Sequence, residues 1–293
     1  MSVRGLLCRV AGAGNALPID LQLMLRAYEN GIFPMSDARD DPDTFWVEPK
    51  TRAILPLGGL HVSRSLAKTV RQDRFEVKAD TAFAGVIETC AEDADDRRET
   101  WINADIEDAF IRLHKAGIAH SVECWHGGEL VGGLYGLAVG RAFCGESMFS
   151  RKTDASKVAL VWLVARLRLG GFQLLDTQFL TDHLATLGVV ELPQQEYLEL
   201  LRGALANDAS TGIDQVSITA SSTISGSSSM ISGSSSAAGA AAGGADWGAL
   251  DGFLGSGLAG PSTTGLEGLA EGGVGGGFSS PGKLILHALT QTS

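Results

Sequence analysis

The sequence predicts an α+β fold built on a mixed, mostly antiparallel sheet. AHSVECWH, ELVGGLYGLAV and RAFCGESMF are three strand-like segments separated by turn signals at Gly127-Gly128 and Val139-Gly140, the pattern of a β-meander. From Ala155 onward, helical and strand-like segments alternate instead, and a meander followed by alternation describes a mixed sheet. Near residue 203 the composition changes: Gly, Ser and Ala dominate, as in GSSSMISGSSSAAGAAAGGA, and the folded part is expected to end there.

Taken in order, Asp20 caps a helix through Tyr28, with Leu21, Leu23, Met24 and Leu25 supplying an apolar side and Gly31 ending it. IFPMSDARDDPDTFWVEPKTR reads as irregular, and AILPL as a strand. Ser63 caps a short helix to about Gln72, FEVKAD is a strand, and Asp80 or Thr81 opens a helix to about Ala91. IEDAFIRLHKAG is a helix ending at Gly117, after which the meander begins. Ala155 to Leu169 is a strongly apolar helix stopped by Gly170-Gly171, and FQLLDTQF follows as a buried strand. TDHLATLG, VVEL and a helix started by Pro193 complete the fold.

The residues beyond the break bury little apolar surface per residue ordered, so most of this tail is expected to be disordered and dispensable for chemistry between about 207 and 280. Its last stretch, GKLILHALTQTS, regains apolar character; it reads either as a segment docked on the domain through a Gly/Ser tether or as more of the same tail. The tail carries six acids against Lys283 alone, and so supplies −5 of the formal net charge of −11. An acidic total argues against indiscriminate nucleic-acid binding but leaves room for a local basic patch. Targeting signals are weak and no apolar run approaches the length of a membrane span, so a cytoplasmic protein without membrane partners is expected, and a monomer is expected beside it. Cys8, Cys90, Cys124 and Cys144 show no metal-ligand spacing and read as reduced, mostly buried thiols.

Two stretches carry chemistry: FCGESMFSRKTDASK, with Glu146 beside Gly145, and LLDTQFLTDH, where strand alternation puts Asp176 and Gln178 on one face. Two readings stand for each. Asp176 is either a functional carboxylate or the cap of the next helix, and Glu146 is either in a site or hydrogen-bonded to the local backbone and serines.

Ten segments in one order, YENGIFPM, FWVEPKTRAILPL, LHVSRSL, TWIN, AHSVECW, ELVGGLYG, FCGESMFSR, ASK, LLDTQ and DHLATLG, resemble the leucyl/phenylalanyl-tRNA–protein transferase family, collinearly from about residue 20 to 202. The resemblance implies a small N-terminal α/β domain (1–62) packed on a GNAT-like acyltransferase domain (63–205), and leaves the tail (206–293) unexplained. It also implies transfer of Leu or Phe, with Met as a further donor, from Leu-tRNA or Phe-tRNA to the α-amine of a protein beginning with Lys or Arg, marking it for N-degron degradation. Catalytic importance is carried onto Asp176 and Gln178, and Glu146 is placed in the same site.

The chemistry fits those residue types. An aminoacyl ester is already activated, so no cofactor, metal or covalent nucleophile is required; the enzyme positions an amine, helps it lose a proton and stabilises an oxyanion. With an α-amine pKa of about 7.7–8.0, a carboxylate such as Asp176 need only orient the amine and accept its proton late. Leu134, Phe143, Met148, Leu160, Leu163 and Leu175 converge on the same segment ends as an apolar pocket for the donor side chain. The resemblance puts Trp101 near the terminal adenosine; Met35 stands where many relatives have Trp, with Trp46 as a substitute stacking face.

Lys50, Arg52, Arg64, Lys68, Arg71, Arg74 and Lys78 form a basic stretch. Within it Arg64, Lys68 and Arg71 line one helix face, either a solvated face or one that meets an acceptor stem. Three rival readings fit less well. An acyl-CoA-dependent enzyme lacks its pyrophosphate loop here, and a non-catalytic tRNA-binding module has no need of both Asp176 and Gln178. A transferase acting on Asp or Glu N-termini calls for a basic acceptor pocket.

Overall fold

The computed structural model describes residues 8–10, 18–92, 100–206, 244–258 and 280–291. A three-stranded antiparallel sheet comes first, from β1 (Cys8–Val10), β2 (Phe33–Met35) and β3 (Thr44–Val47), in the order β1-β3-β2. Between β1 and β2 lies α1 (Leu21–Glu29), opened by Asp20, whose side chain accepts from Leu23 N, and buried through Leu21, Met24, Leu25 and Tyr28. The sequence reads the stretch containing β2 and β3 as irregular. Strands of three and four residues, one containing Pro34, are too short for a period of two to register.

The larger sheet draws on β4 (Thr51–Ile54), β5 (Glu76–Ala79), β6 (Ala119–His126), β7 (Glu129–Val139), β8 (Ala142–Ser150), β9 (Leu174–Gln178) and β10 (Val190–Pro193). Their order is β10-β4-β9-β8-β7-β6-β5, and every pair is antiparallel except β8 with β9. A parallel pair needs a long crossover, which α5 (Ala155–Leu169) provides. β4 lies inside residues 1–62 yet sits between β9 and β10, so the larger sheet takes a strand from the part that the sequence assigns to the N-terminal domain.

Two apolar layers cover this sheet. On one face, α5 and α2 (Arg64–Arg71) pack over Val131, Leu134, Phe143 and Leu175. The other face packs α1, α3 (Phe83–Cys90) and α4 (Ala104–Lys115) over Ala119, Tyr135, Leu137 and Cys144. Neighbours Phe143 and Cys144 thus enter opposite layers, as strand alternation requires. α6 (Asp182–Ala185) and α7 (Gln194–Ala206) follow β9 and β10. The capping of α3 differs from expectation. Its N-cap is Ala82, and the amides of Thr81 and Ala82 donate to the buried Glu123 carboxylate of β6, each at 2.9 Å. Asp80 instead pairs with His120 and accepts from Ser121 N. These partners lie some forty residues away, outside the reach of local pattern.

The tail is the main departure. Most of its Gly/Ser/Ala sequence lies outside the described residues, but α8 (Ala249–Leu258) and α9 (Pro281–Gln291) are helices packed on α5, and α9 also packs on α2. Helix α5 explains why. Nearly every residue from Ala155 to Leu167 is buried, so it has no polar side to leave in water and must be covered on both faces. Trp247 leads α8 in: its indole stacks on His120 at 4.2 Å and on Phe143 at 5.4 Å, and its Nε1 donates to Asp80 Oδ2 at 2.8 Å. Buried Arg166 of α5 donates to Trp247 O and, through both terminal nitrogens, to Asp251. At α9, Gly282 N donates to Asp73 Oδ1 in an approach so close that a Cβ there would lie 1.9 Å from Val70 O.

The expectation that most of 206–293 is disordered does not hold for the segment with Trp247 and α8, which is docked on α5. Trp247→Ala is expected to cost about 2–3 kcal/mol, below the about 3–5 kcal/mol of a fully buried aromatic, because the ring is half-buried. Urea denaturation checks this, and an unmoved midpoint would show that the docked segment adds nothing to stability.

Candidate active site

A cavity of about 260 Å³ opens between β7, β8, the end of β9, α5 and the segment through α6. Leu134, Met148, Leu160, Leu163 and Leu175 line it, five of the six apolar residues that the sequence proposes for a pocket. Phe143 does not: it is fully buried beside Trp247 and Phe172, further along the same face. Trp101 lines the cavity, and so does Phe179. The Trp101 carbonyl accepts from Ser36 N at 3.0 Å, and Asn103 caps α4 two residues later. Trp46 is not on the wall; it stands opposite Pro34 in the small sheet and packs against the α1/α4 core.

The polar end of the cavity is set by the last residues of β9. Asp176 is fully buried and does not line the cavity. Arg52 Nε donates to its two oxygens at 2.9 and 3.0 Å, Arg52 Nη2 donates at 2.6 Å, and Tyr197 Oη donates at 2.9 Å. Burial alone would favour a neutral guanidinium, but the charge of Asp176 outweighs it and holds Arg52 firmly protonated. Burial, followed by that same charge, pushes the Tyr197 phenol and the Cys144 thiol up. Both Asp176 oxygens are thus engaged, by Arg52, Tyr197 and Gln178 N, away from the cavity lining. Gln178, the last residue of β9, has a φ of 61° and lines the cavity with Leu175 and Thr177 whereas Asp176 does not, so simple alternation does not keep Asp176 and Gln178 on one face.

Gln178 is what reaches the cavity. Its backbone N–H donates to Asp176 Oδ1 at 2.8 Å, and its Nε2 donates to Glu146 Oε1 at 2.8 Å. Glu146 is the extra residue where the β7–β8 register shifts, between Gly145 opposite Gly136 and Ser147 opposite Tyr135, and it lines the same wall. Its other oxygen, Oε2, is inaccessible and has no hydrogen-bond partner, although the residue as a whole is half-buried. Tyr28 Oη, likewise unpartnered, is near enough for each group to influence the other's titration but does not meet hydrogen-bond geometry. Burial dominates, and against the opposing pull of Gln178 and Tyr28 it pushes the Glu146 carboxyl up to about 8. Thr177 Oγ1 is a third unpartnered polar atom at this end.

Arg64, Lys68 and Arg71 stand exposed on α2, whose Leu66, Thr69 and Val70 face inward. Arg52 drops out of the expected basic surface because it is buried against Asp176. Cys90, Cys124 and Cys144 are buried free thiols, and burial pushes Cys124 up to about 12. Among the described residues no group of three or more His, Cys, Asp or Glu is arranged to hold a metal. Sequence reasoning missed Arg52, Tyr197 and Tyr28 as parts of the site. Arg52 stands within the quoted FWVEPKTRAILPL, where its neighbours make it look like one more surface base; nothing local marks Tyr197.

Residues 54–202 match the family described as leucyl/phenylalanyl-tRNA protein transferase, and residues 18–50 match the N-terminal domain of that family. A leucyl/phenylalanyl-tRNA–protein transferase of Novosphingobium aromaticivorans is 61% identical over 183 residues, covering 62% of this chain and 70% of the relative. The corresponding protein of Rhizorhabdus wittichii is 58% identical over 194 residues, 66% of this chain and 78% of that one. That of Paramagnetospirillum magneticum is 56% identical over 192 residues, 66% of this chain and 92% of its own length. Among solved structures, L-PGS from Bacillus licheniformis aligns at 14% identity over 57% of this chain and 56% of that one, with a TM-score of 0.32.

The Glu146 carboxyl makes stability depend on pH with a defined sign. Between its ordinary value of 4.5 and about 8 the folded protein holds a proton that the unfolded chain has released. Its contribution to stability is therefore whole below about 4.5 and is lost as pH rises through about 8. Glu146→Gln is neutral throughout, so its stability relative to the parent should climb between pH 5 and 8, by no more than about 1.4 kcal/mol per pH unit for one proton. Parallel denaturation midpoints for the two proteins across that range would show that Glu146 ionises normally.

Proposed function

The chain belongs to the leucyl/phenylalanyl-tRNA–protein transferase family, and we propose that it moves Leu or Phe from the corresponding aminoacyl-tRNA to the α-amine of proteins beginning with Lys or Arg, as a cytoplasmic monomer. In this reading the larger sheet with its helices is the GNAT-like domain, and the product is a substrate for N-degron degradation. The observation that carries the acceptor preference is the Glu146 carboxyl on the wall of an otherwise apolar cavity. A carboxyl in an apolar surrounding favours a ligand that brings donors, and a cationic side chain brings several. Bound there, the cation would draw Glu146 into its charged form.

The donor side chain fits the apolar wall. Leu134, Leu160, Leu163 and Leu175 are packed by their elements, whereas Met148 can adjust to a branched or a flat occupant. Trp101 then lies where the terminal adenosine can stack, for about 1–3 kcal/mol. In the transfer itself a C–N bond forms between the acceptor amine and the ester carbonyl while the C–O bond to the ribose breaks. The amine proton leaves with the ribose oxygen. Gln178 spends its Nε2 on Glu146, which leaves its side-chain carbonyl to accept from the amine and orient its lone pair. Asp176 acts behind it, holding Gln178, and the substrate's own ribose hydroxyl carries the proton.

Transfer assays with charged tRNA test the acceptor. Peptides starting with Arg should exceed those starting with Ala or Asp by about 10- to 100-fold in kcat/KM, the worth of one or two charge-assisted hydrogen bonds. Equal rates would sink the carboxylate reading, and transfer from acetyl-CoA would redirect it to another acyl donor.

The exposed bases of α2 suit contact with tRNA phosphates, which would let several tRNAs serve because phosphate contacts carry little sequence information. Replacing Arg64, Lys68 and Arg71 together by Ala should raise KM for charged tRNA, spare kcat and flatten the logarithmic salt slope by about one for each phosphate no longer neutralised. An unchanged slope would return these residues to an ordinary solvated face.

A further inference from the structure

Gln178 holds a backbone conformation that its side chain does not favour. Its φ of 61° lies in the left-handed region, which costs a residue with a Cβ about 1 kcal/mol or more. Such a conformation persists only where its surroundings impose it: Phe179 N donates to Thr177 O at 2.7 Å across Gln178, Gln178 Nε2 donates to Glu146, and Gln178 N donates to Asp176 Oδ1, the hydrogen bond of an Asx turn. That turn forms only if the Asp176 carboxylate keeps one rotation about its side chain. Four hydrogen bonds set that rotation, three from Arg52 and one from Tyr197. Arg52 is pinned in turn by Gly31 O, which accepts from Nη1 at 2.9 Å, and by the rings of Phe33 and Tyr197, 4.6 and 4.7 Å from its guanidinium carbon. Neither Arg52 nor Tyr197 lines the cavity.

We infer that Arg52 and Tyr197 are positioning residues of the transfer: by fixing the rotation of the Asp176 carboxylate they keep the Asx-turn hydrogen bond to Gln178 N in place and so help aim the Gln178 amide at the reacting amine. The inference rests on the reading that Gln178 orients that amine. A buried ion pair that served stability alone would leave the same contacts but would have no connection to Gln178 in the kinetics, and that difference is measurable.

A double-mutant cycle separates the two roles. Tyr197→Phe removes one hydroxyl and keeps the ring that packs on Arg52, so the protein should fold; thermal unfolding of each variant fixes an assay temperature at which all are native. With charged tRNA and an Arg-starting peptide, Tyr197→Phe is expected to lower kcat about 5- to 20-fold while KM for the tRNA stays put, since small displacements of a positioning group cost rate. Introduced into Gln178→Ala, the same substitution should change kcat by less than about twofold, because the group it positions is gone. Arg52→Lys, which keeps the charge but loses the planar fork, should follow the same pattern. Equal losses in both backgrounds, or no loss of kcat in the parent, would overturn the inference while leaving Gln178 its role. If Gln178→Ala turns over like the parent, the reading of Gln178 itself falls, and the inference falls with it.

Discussion

A guanidinium and a carboxylate removed from water must find each other, and the Arg52–Asp176 pair, at 1% and 0% side-chain exposure, is where this structure meets that demand. Desolvating two such ions is costly enough that the pair is poor as a source of net stability; replacing both by apolar groups of the same volume is often neutral. Its effect is specification. Arg52 comes from β4, Asp176 from β9, Tyr197 from α7, and the carbonyl of Gly31 from the turn that follows α1. Removing any one partner leaves a buried charge or dipole unmet, so four separate pieces of chain are held to one arrangement.

The cavity's composition follows from that constraint. β9 enters from the core with Leu175 on the apolar wall and ends at Gln178, where the Asx turn stops the strand. Apolar lining and polar end are therefore successive residues of one strand, and the change from one to the other is abrupt. Glu146 arrives from β8, paired parallel to β9, as the extra residue at the β7–β8 register shift, and its carboxyl accepts from Gln178 Nε2. The resulting site is apolar on one side and carries the Glu146 carboxyl on the other.

On its other side α5 meets the C-terminal helices. The family matches cover residues 18–50 and 54–202, so the family resemblance does not require α8 and α9. Here they cover a helix that turns apolar residues in every direction, and they are fastened by directional contacts, the Trp247 stack and the Arg166–Asp251 pair, rather than by apolar area alone. A Gly-rich composition does not preclude docking when the glycines sit at points of close approach, as Gly282 does against Val70.

Local pattern by itself determined most of the elements. Ser63 and Asp20 cap the helices they precede, the three meander strands fall where the turn glycines put them, and α5 spans Ala155 to Leu169 as its apolar run predicts. These depend on capping, periodicity and turn chemistry, which operate over a few residues. Five of the six pocket residues were legible for a related reason: apolar residues at segment ends near a polar motif have few places to go but the wall between them. Only the tertiary structure decided which charged groups are buried together. Arg52 looks like its basic neighbours until β4 is inserted beside β9; Asp176 looks like a free strand-end carboxylate until Tyr197 and Arg52 close on it; Glu123 becomes the cap of α3 across forty residues. The absence of a polar face on α5 was visible from the start, but what covers it was not, because burial is a property of the partner as much as of the helix. Pairings between residues more than a hundred positions apart leave no trace in spacing, and in this protein they set the geometry of the site.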